Sequence, residues 1–97
     1  MSTGQILLVD DEPDLLTTMG KILTREGYSV FTASSGEGAL LQLQNSTEIG
    51  VIITDISMPG IGGAELLKAV KKRYSHIPII MMTAHATMNS AIDALRA

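Results

Sequence analysis

Short apolar segments alternate along the chain with longer segments in which apolar residues recur at helical spacing. Ile6–Val9 is a continuous apolar run that ends in acidic residues, which is typical of a strand buried on both faces of a parallel sheet. Pro13 suits the first turn of a helix, and Gly27 ends the segment that follows. That segment is predicted to be an amphipathic helix with an apolar face formed by Leu15, Leu16, Met19, Ile22 and Leu23.

The same strand-and-helix pattern occurs three more times. Further strands are predicted at Val30–Ala33, Val51–Thr54 and Ile79–Met82, and further helices at about 35–44, 63–74 and 87–96. Such alternation with short connections predicts an α/β domain with a parallel sheet, helices on both faces and right-handed crossovers. No composition shift indicates a linker, so we expect a single domain over residues 4–97.

Composition narrows the classes of function. The 97 residues carry a net charge of −3 and contain no Cys, which excludes a disulfide framework and thiol catalysis. The few basic residues form no stripe, so we expect no direct nucleic-acid binding by this segment. No apolar run approaches the roughly 20 residues of a membrane span, and the start lacks a basic secretion signal, which favours a cytoplasmic protein without membrane contact.

Chemistry-bearing residues follow the predicted strands. Ligands of open α/β sheets bind beyond the carboxyl ends of the strands, where Asp10-Asp11-Glu12, Ala33-Ser34-Ser35, Asp55 and Thr83 are expected. Crowded carboxylates raise one another's pKa unless a cation screens them, and an all-oxygen set suits Mg²⁺. We therefore predict that Asp10 and Asp11 hold Mg²⁺, that Asp55 attacks phosphorus to give an acyl phosphate, and that Thr83 donates a hydrogen bond to a phosphoryl oxygen.

Three segments in order carry a family resemblance. Asp10-Asp11-Glu12-Pro13, Thr54-Asp55-Ile56-Ser57-Met58-Pro59-Gly60 and Met82-Thr83-Ala84-His85 resemble the receiver domains of two-component response regulators, a match that runs from about residue 5 to the chain end. The resemblance implies a flavodoxin-like three-layer fold with strand order 2-1-3-4. It also implies that Asp55 accepts a phosphoryl group from a histidine kinase, that Thr83 senses it, and that Mg²⁺ is held by Asp10, Asp11, Asp55 and the backbone carbonyl of Ser57.

The resemblance also implies partners and a mode of action. Receivers are phosphorylation-controlled switches of a protein-interaction surface and not enzymes that turn over an external substrate, and they control an output domain, which this chain lacks. Residues 83–87 and 91–96 further resemble receivers attached to enhancer-binding transcriptional activators, although receivers of hybrid kinases are similar.

One departure from the family changes the expectations. Family receivers continue with a fifth strand and helix that carry a Lys and a switching aromatic residue, whereas this chain ends at Ala97. We expect a C-terminally incomplete receiver with weakened phosphorylation, because a fixed cation beside phosphoryl charge is a large electrostatic contribution. Ile79–Met82 is expected to become an apolar sheet edge, so that a homodimer or a longer native protein would cover it.

Two alternatives remain open at this stage. A haloacid-dehalogenase-like phosphohydrolase also combines an Asp nucleophile with Mg²⁺, but that family has Asp-x-Asp after the first strand, where this chain has Asp10-Asp11-Glu12. The other alternative is a binding module whose Asp55 is never phosphorylated. Multiple turnover on a phosphate ester would favour the first, and partner binding that is indifferent to Asp55→Asn would favour the second.

Overall fold

The computed structural model describes residues 4–45, 48–55 and 60–82. These residues form strands and helices in strict alternation, as the apolar pattern predicts. The elements are β1 (Gln5–Val9), α1 (Pro13–Arg25), β2 (Ser29–Ala33), α2 (Gly36–Asn45), β3 (Val51–Asp55), α3 (Gly63–Arg73) and β4 (Ile79–Met82). The helix predicted at 87–96 lies outside the described residues.

The strands form one parallel sheet in the order β2-β1-β3-β4. This order confirms the predicted flavodoxin-like arrangement. Val9 is in register with Ala33 on one side and with Thr54 on the other. The residues that follow Val9 and Thr54 along the chain, Asp10 and Asp55, therefore lie at the same carboxyl edge of the sheet.

The core is divided between the two faces of the sheet. Ile6–Val9 is fully buried, which confirms the prediction of an interior strand. Because successive strand residues point to opposite faces, Ile6 and Leu8 pack against α1, while Leu7 and Val9 pack under α2 and α3. The helices contribute Met19 and Leu23 on the first face and Ala39, Leu43, Leu66 and Val70 on the second.

The predicted element boundaries are accurate to within one or two residues, and two shifts have a local cause. β3 continues to Asp55, one residue further than predicted, because the backbone of Asp55 is in register with Met82 of β4. α2 begins at Gly36, because the side chain of Ser35 accepts a hydrogen bond from the Gly38 amide at 3.0 Å. Ser35 thus caps the helix.

Two of the sequence predictions concern the apolar sheet edge at β4 and the lack of membrane-spanning segments. Among the described strands, β4 lies at one edge of the sheet with β3 as its neighbour, and Ile79, Ile80 and Met81 are half-buried. None of the described helices is long and apolar enough to cross a membrane.

Gly36 lies where α2 approaches the turn before α3. A Cβ placed on Gly36 would lie 2.6 Å from the carbonyl oxygen of Ile61 and 2.8 Å from its Cβ. Real side chains do not reach such distances, so any larger residue would push these two segments apart. Gly20, within α1, has no such neighbour, because a Cβ there would meet Val30 at 4.0 Å.

This difference predicts opposite effects of two Gly→Ala substitutions. Gly36→Ala should lower the free energy of unfolding by about 1 to 3 kcal/mol through overpacking. Gly20→Ala should raise it by roughly 0.5 to 1 kcal/mol, because alanine is the better helix former and has room. Urea titrations monitored by circular dichroism measure both. Equal effects of the two substitutions would contradict the close approach of Gly36 to Ile61.

Candidate functional site

Asp10 occupies the turn that leads from β1 into α1. Its side chain is 2% exposed, and its Oδ1 accepts a hydrogen bond from the Glu12 amide at 2.9 Å. Its own amide donates to the carbonyl oxygen of Ala33 at 3.1 Å, which extends the pairing of β1 with β2 by one step. The backbone of Asp10 is therefore fixed by the sheet, and its carboxylate is fixed by the first turn of the following segment.

Asp11 and Asp55 complete a group of three carboxylates with Asp10, which we call the acidic cluster. One carboxylate oxygen from each residue lies within 4.8 Å of the others. Asp10 is buried, Asp55 is half-buried and Asp11 is exposed, so the acidic cluster extends from the end of the sheet to the surface. The structure thus brings together the three acids that the sequence predicts as partners.

Burial and like charge both act on Asp10. Burial raises its pKa above the ordinary value because the ionised form loses hydration, and the nearby charges of Asp55, Asp11 and Glu12 raise that pKa further. The hydrogen bond from the Glu12 amide has the opposite effect, because it stabilises the ionised form. The raised pKa shows that burial and repulsion outweigh this hydrogen bond. A cation at the acidic cluster would remove the repulsion.

The donor set indicates which cation fits. The acidic cluster offers carboxylate oxygens from three residues, without the imidazole or thiolate ligands that zinc and copper favour. Oxygen donors suit a hard divalent ion, and an ion with few protein ligands keeps open positions for water or substrate oxygens. The residues present therefore fit a divalent cation that is accessible from one side.

The other predicted site residues have different outcomes. Ser57 and Thr83 lie outside the described residues. Ala33 ends β2 and Ser35 follows it, and both serve the scaffold. The carbonyl oxygen of Ala33 accepts a hydrogen bond from the Asp10 amide, and Ser35 caps α2. Thr54 is a buried polar residue that sequence reasoning missed, and its hydroxyl donates to the carbonyl oxygen of Asp55 at 3.1 Å. The sequence does contain a signal for this residue, because Thr54 is a hydroxyl residue at the end of an apolar run and directly precedes Asp55.

The raised pKa of Asp10 predicts the effect of Asp10→Asn on the metal-free protein. At neutral pH the folded state retains an ionised group that burial and repulsion disfavour, so the substitution should increase the free energy of unfolding, by about 1 kcal/mol. The asparagine Oδ1 can still accept from the Glu12 amide. As the pH falls through the raised pKa of Asp10, the folded wild type binds a proton before the unfolded chain does, and the gain should shrink. Urea titrations at a series of pH values in EDTA measure this, and a destabilised variant at pH 7 would contradict it.

Comparisons with known proteins support the fold described above and identify a protein family that this chain matches. The Response regulator receiver domain family matches residues 6–97. The transcriptional regulatory protein GlrR of Escherichia coli is 41% identical over 92 residues, which are 94% of this chain and 20% of that protein. The DNA-binding transcriptional regulator NtrC of Klebsiella pneumoniae is 37% identical over 94 residues, again 20% of its length. The chain thus spans about a fifth of these curated relatives.

A solved structure supports the same assignment. The response regulator protein TrrA of Thermotoga maritima, solved in complex with Mg²⁺-BeF, is 35% identical and superposes with a TM-score of 0.81 over 98% of this chain and 82% of that one. These similarities support the receiver hypothesis and not the phosphohydrolase alternative. Receivers, unlike phosphohydrolases, do not turn over an external substrate. From the strand order, the acidic cluster and a family match that covers nearly the whole sequence, we conclude that the chain belongs to the response regulator receiver domain family.

Proposed function

We propose that this chain is a Mg²⁺-dependent phosphoacceptor of a two-component system, with Asp55 as the acceptor. The observation that carries the proposal is the acidic cluster, in which three carboxylate oxygens lie within 4.8 Å of one another at the carboxyl edge of the sheet. This concentration of negative charge is unfavourable by itself and becomes favourable around a divalent cation. The complex of the relative TrrA with Mg²⁺-BeF supports Mg²⁺ as that cation.

The three acids divide into two roles. Asp10 is buried and fixed by two hydrogen bonds, and Asp11 follows it directly, so these two residues would hold the metal from the β1 side. Asp55 is half-buried at the end of β3 and would present one oxygen to the metal and the other to phosphorus. Bound Mg²⁺ would neutralise charge on the phosphoryl oxygens.

With the charge neutralised, phosphotransfer mainly requires that Asp55 and the phosphoryl donor be correctly positioned. An oxygen of Asp55 forms the bond to phosphorus while the phosphorus–nitrogen bond of a phosphohistidine breaks, and the imidazole nitrogen leaves with the bonding electrons. The ionised carboxylate has no proton to lose, so no general base is required. The resemblance supports a hydrogen bond from Thr83 to the phosphoryl group and a metal ligand in the carbonyl of Ser57.

The relatives support a setting for this chemistry. GlrR and NtrC are transcriptional regulators about five times as long as the matched segment. We therefore propose that residues 4–97 act as the receiver of a transcriptional regulator, that a sensor histidine kinase is the phosphodonor, and that an output domain binds DNA. Because transcription takes place where the chromosome lies, we assign the protein to the cytoplasm.

The proposal predicts one covalent adduct. Incubation with acetyl phosphate and Mg²⁺ should add a single phosphoryl group, detected by intact mass and labile to hydroxylamine, as an acyl phosphate is. Asp55→Asn should abolish the adduct, and EDTA should suppress it. Asp14→Asn is the matched control, because Asp14 is an exposed acid in the first turn of α1 and outside the acidic cluster.

Three results would contradict this prediction. An adduct that persists in Asp55→Asn would assign the acceptor to another residue. A folded wild type that stays unmodified, both as this chain and within the full-length protein, would favour the binding module. Release of free phosphate with multiple turnover on a small ester would instead favour a phosphohydrolase.

Metal binding should also stabilise the folded chain. A ligand that binds the folded state alone adds about 2.7 kcal/mol to the free energy of unfolding at 100 times its dissociation constant. We expect Mg²⁺ to raise the unfolding midpoint of the wild type and to have little effect on Asp10→Asn. Thermal unfolding at increasing MgCl₂, with NaCl at equal ionic strength as the control, measures this. An equal gain in both proteins would indicate general salt stabilisation.

A further inference from the structure

β2 lies at one edge of the described sheet and has β1 as its neighbour on one side only. The amide of Ser29 and the carbonyl oxygen of Ala33 form their hydrogen bonds on the β1 side. Successive residues of a strand direct their backbone groups to opposite sides, so Val30 and Thr32 direct theirs away from β1. We call the amides and carbonyl groups of these two residues the β2 edge.

One side chain protects part of the β2 edge. Gln42 of α2 donates from Nε2 to the carbonyl oxygen of Thr32 at 3.1 Å, in an exposed position. Within the described ranges, no other residue bonds to the outward groups of Val30 and Thr32. A single exposed hydrogen bond contributes little net free energy, so an incoming strand can displace Gln42 at small cost. The β2 edge therefore remains able to pair with another strand.

A groove runs beside the β2 edge on the face of the sheet that carries α1. It has a volume of about 490 Å³, and Leu16 and Val30 form part of its apolar lining. Gly20 leaves room in it, because even an added Cβ would lie 4.0 Å from Val30. The lining contains two charged residues, Lys21 and Arg25, and both are basic. This groove is thus a positive site on a chain whose net charge is −3.

The opposite face of β2 offers an apolar contact. Val30 packs with the core residues under α1, and the next residue, Phe31, points to the other face because side chains alternate along a strand. Phe31 is 38% exposed, which is high for a large aromatic side chain. A strand placed along β2 would therefore meet cations on one face and an aromatic ring on the other.

We propose that the β2 edge binds an extended acidic segment of a partner protein, which adds a strand beside β2. In such a strand, apolar residues contact Phe31, while the alternate acidic residues reach Lys21 and Arg25. A second copy of this chain fits less well, because two paired β2 edges would bring the cations of both grooves together. The proposal is independent of phosphorylation, since no residue of the acidic cluster lines the groove.

The first experiment uses a fluorescein-labelled peptide of alternating glutamate and valine as the probe for the 97-residue chain. Fluorescence anisotropy is measured in about 0.1 M NaCl, where exposed charges more than roughly 10 Å apart are largely screened. The wild type should bind saturably, and Lys21→Glu with Arg25→Glu should weaken binding by about tenfold. Lys71→Glu with Lys72→Glu makes the same charge change at exposed positions of α3 and should alter the affinity less than twofold. No saturable binding, or an equal loss in both double variants, would overturn the proposal.

A second pair of variants distinguishes strand pairing from attraction of charge alone. Gln42→Ala removes the group that competes for the Thr32 carbonyl, so it should tighten peptide binding by about threefold. Gln44→Ala is the matched control, because Gln44 is an exposed residue of the same helix. Weaker binding by Gln42→Ala, or the same change in both variants, would refute pairing at the β2 edge.

Hydrogen exchange then locates the bound peptide. At saturation, the amides of Val30 and Thr32 should exchange several-fold more slowly, while those of Ser29 and Phe31, which face β1, stay unchanged. Saturated binding without this protection would overturn the proposal. So would equally tight binding of an oligothymidylate of the same charge, which indicates a general anion site. A dimer of the free chain that already protects Val30 and Thr32 would assign the β2 edge to a second copy instead.

Discussion

Repulsion among the three carboxylates of the acidic cluster is the constraint to which the rest of the structure responds. β1 and β3 are parallel neighbours whose ends lie at the same level, so the acid after one strand meets the acid that ends the other. Burial of Asp10 adds to the cost, as its raised pKa shows. A sheet edge that concentrates charge in this way can persist only if the surrounding backbone is fixed by other interactions.

The interactions that fix the backbone around the acidic cluster are mostly apolar contacts in the centre of the sheet. β1 is buried on both faces, and its four core residues contribute to both hydrophobic clusters. Each fully buried aliphatic side chain contributes roughly 1.5 to 3 kcal/mol, so the core can offset the repulsion at the acidic cluster. The hydrogen bonds of Asp10 to Ala33 and Glu12 then connect the acidic cluster to this rigid core. The apolar core thus extends along the strands, and the acidic cluster lies at their carboxyl ends.

The sequence predicted those parts of the fold that depend on local pattern and on the geometry of parallel sheets. The run Ile6–Val9 has no polar residue, so burial on both faces follows directly from it. Asp10 and Asp55 were predicted to meet because parallel strands present their carboxyl ends at one edge. The order of the strands, by contrast, came from the family resemblance, because periodicity alone does not say which strands are neighbours.

The interactions missed by the sequence analysis are of two kinds, contacts between residues distant along the chain and local hydrogen bonds of side chains. The carboxylate of Glu37 lies beside Gly60, 23 positions further along the chain, and Glu37 resembles any solvated acid in the first turn of a helix. The cap by Ser35 and the hydroxyl of Thr54 depend on rotamers and on the exact ends of elements, which apolar patterns do not determine. The sequence therefore predicted the elements that contain Ser35, Glu37 and Thr54 but not the contacts that these side chains make.

The same separation between core and charged edge explains how a site of this kind can act as a switch. In the proposed function, binding of a cation and a phosphoryl group would change the electrostatic energy at the sheet edge, where burial and repulsion leave Asp10 with a raised pKa. The core on either face is close-packed and resists deformation, so the response is directed into the turns that leave the strands. Residues 60 and 61, which precede α3, lie against Glu37 and Gly36 of α2. α2 packs on the side of the sheet that holds Leu7 and Val9, so these residues join two elements of the same layer.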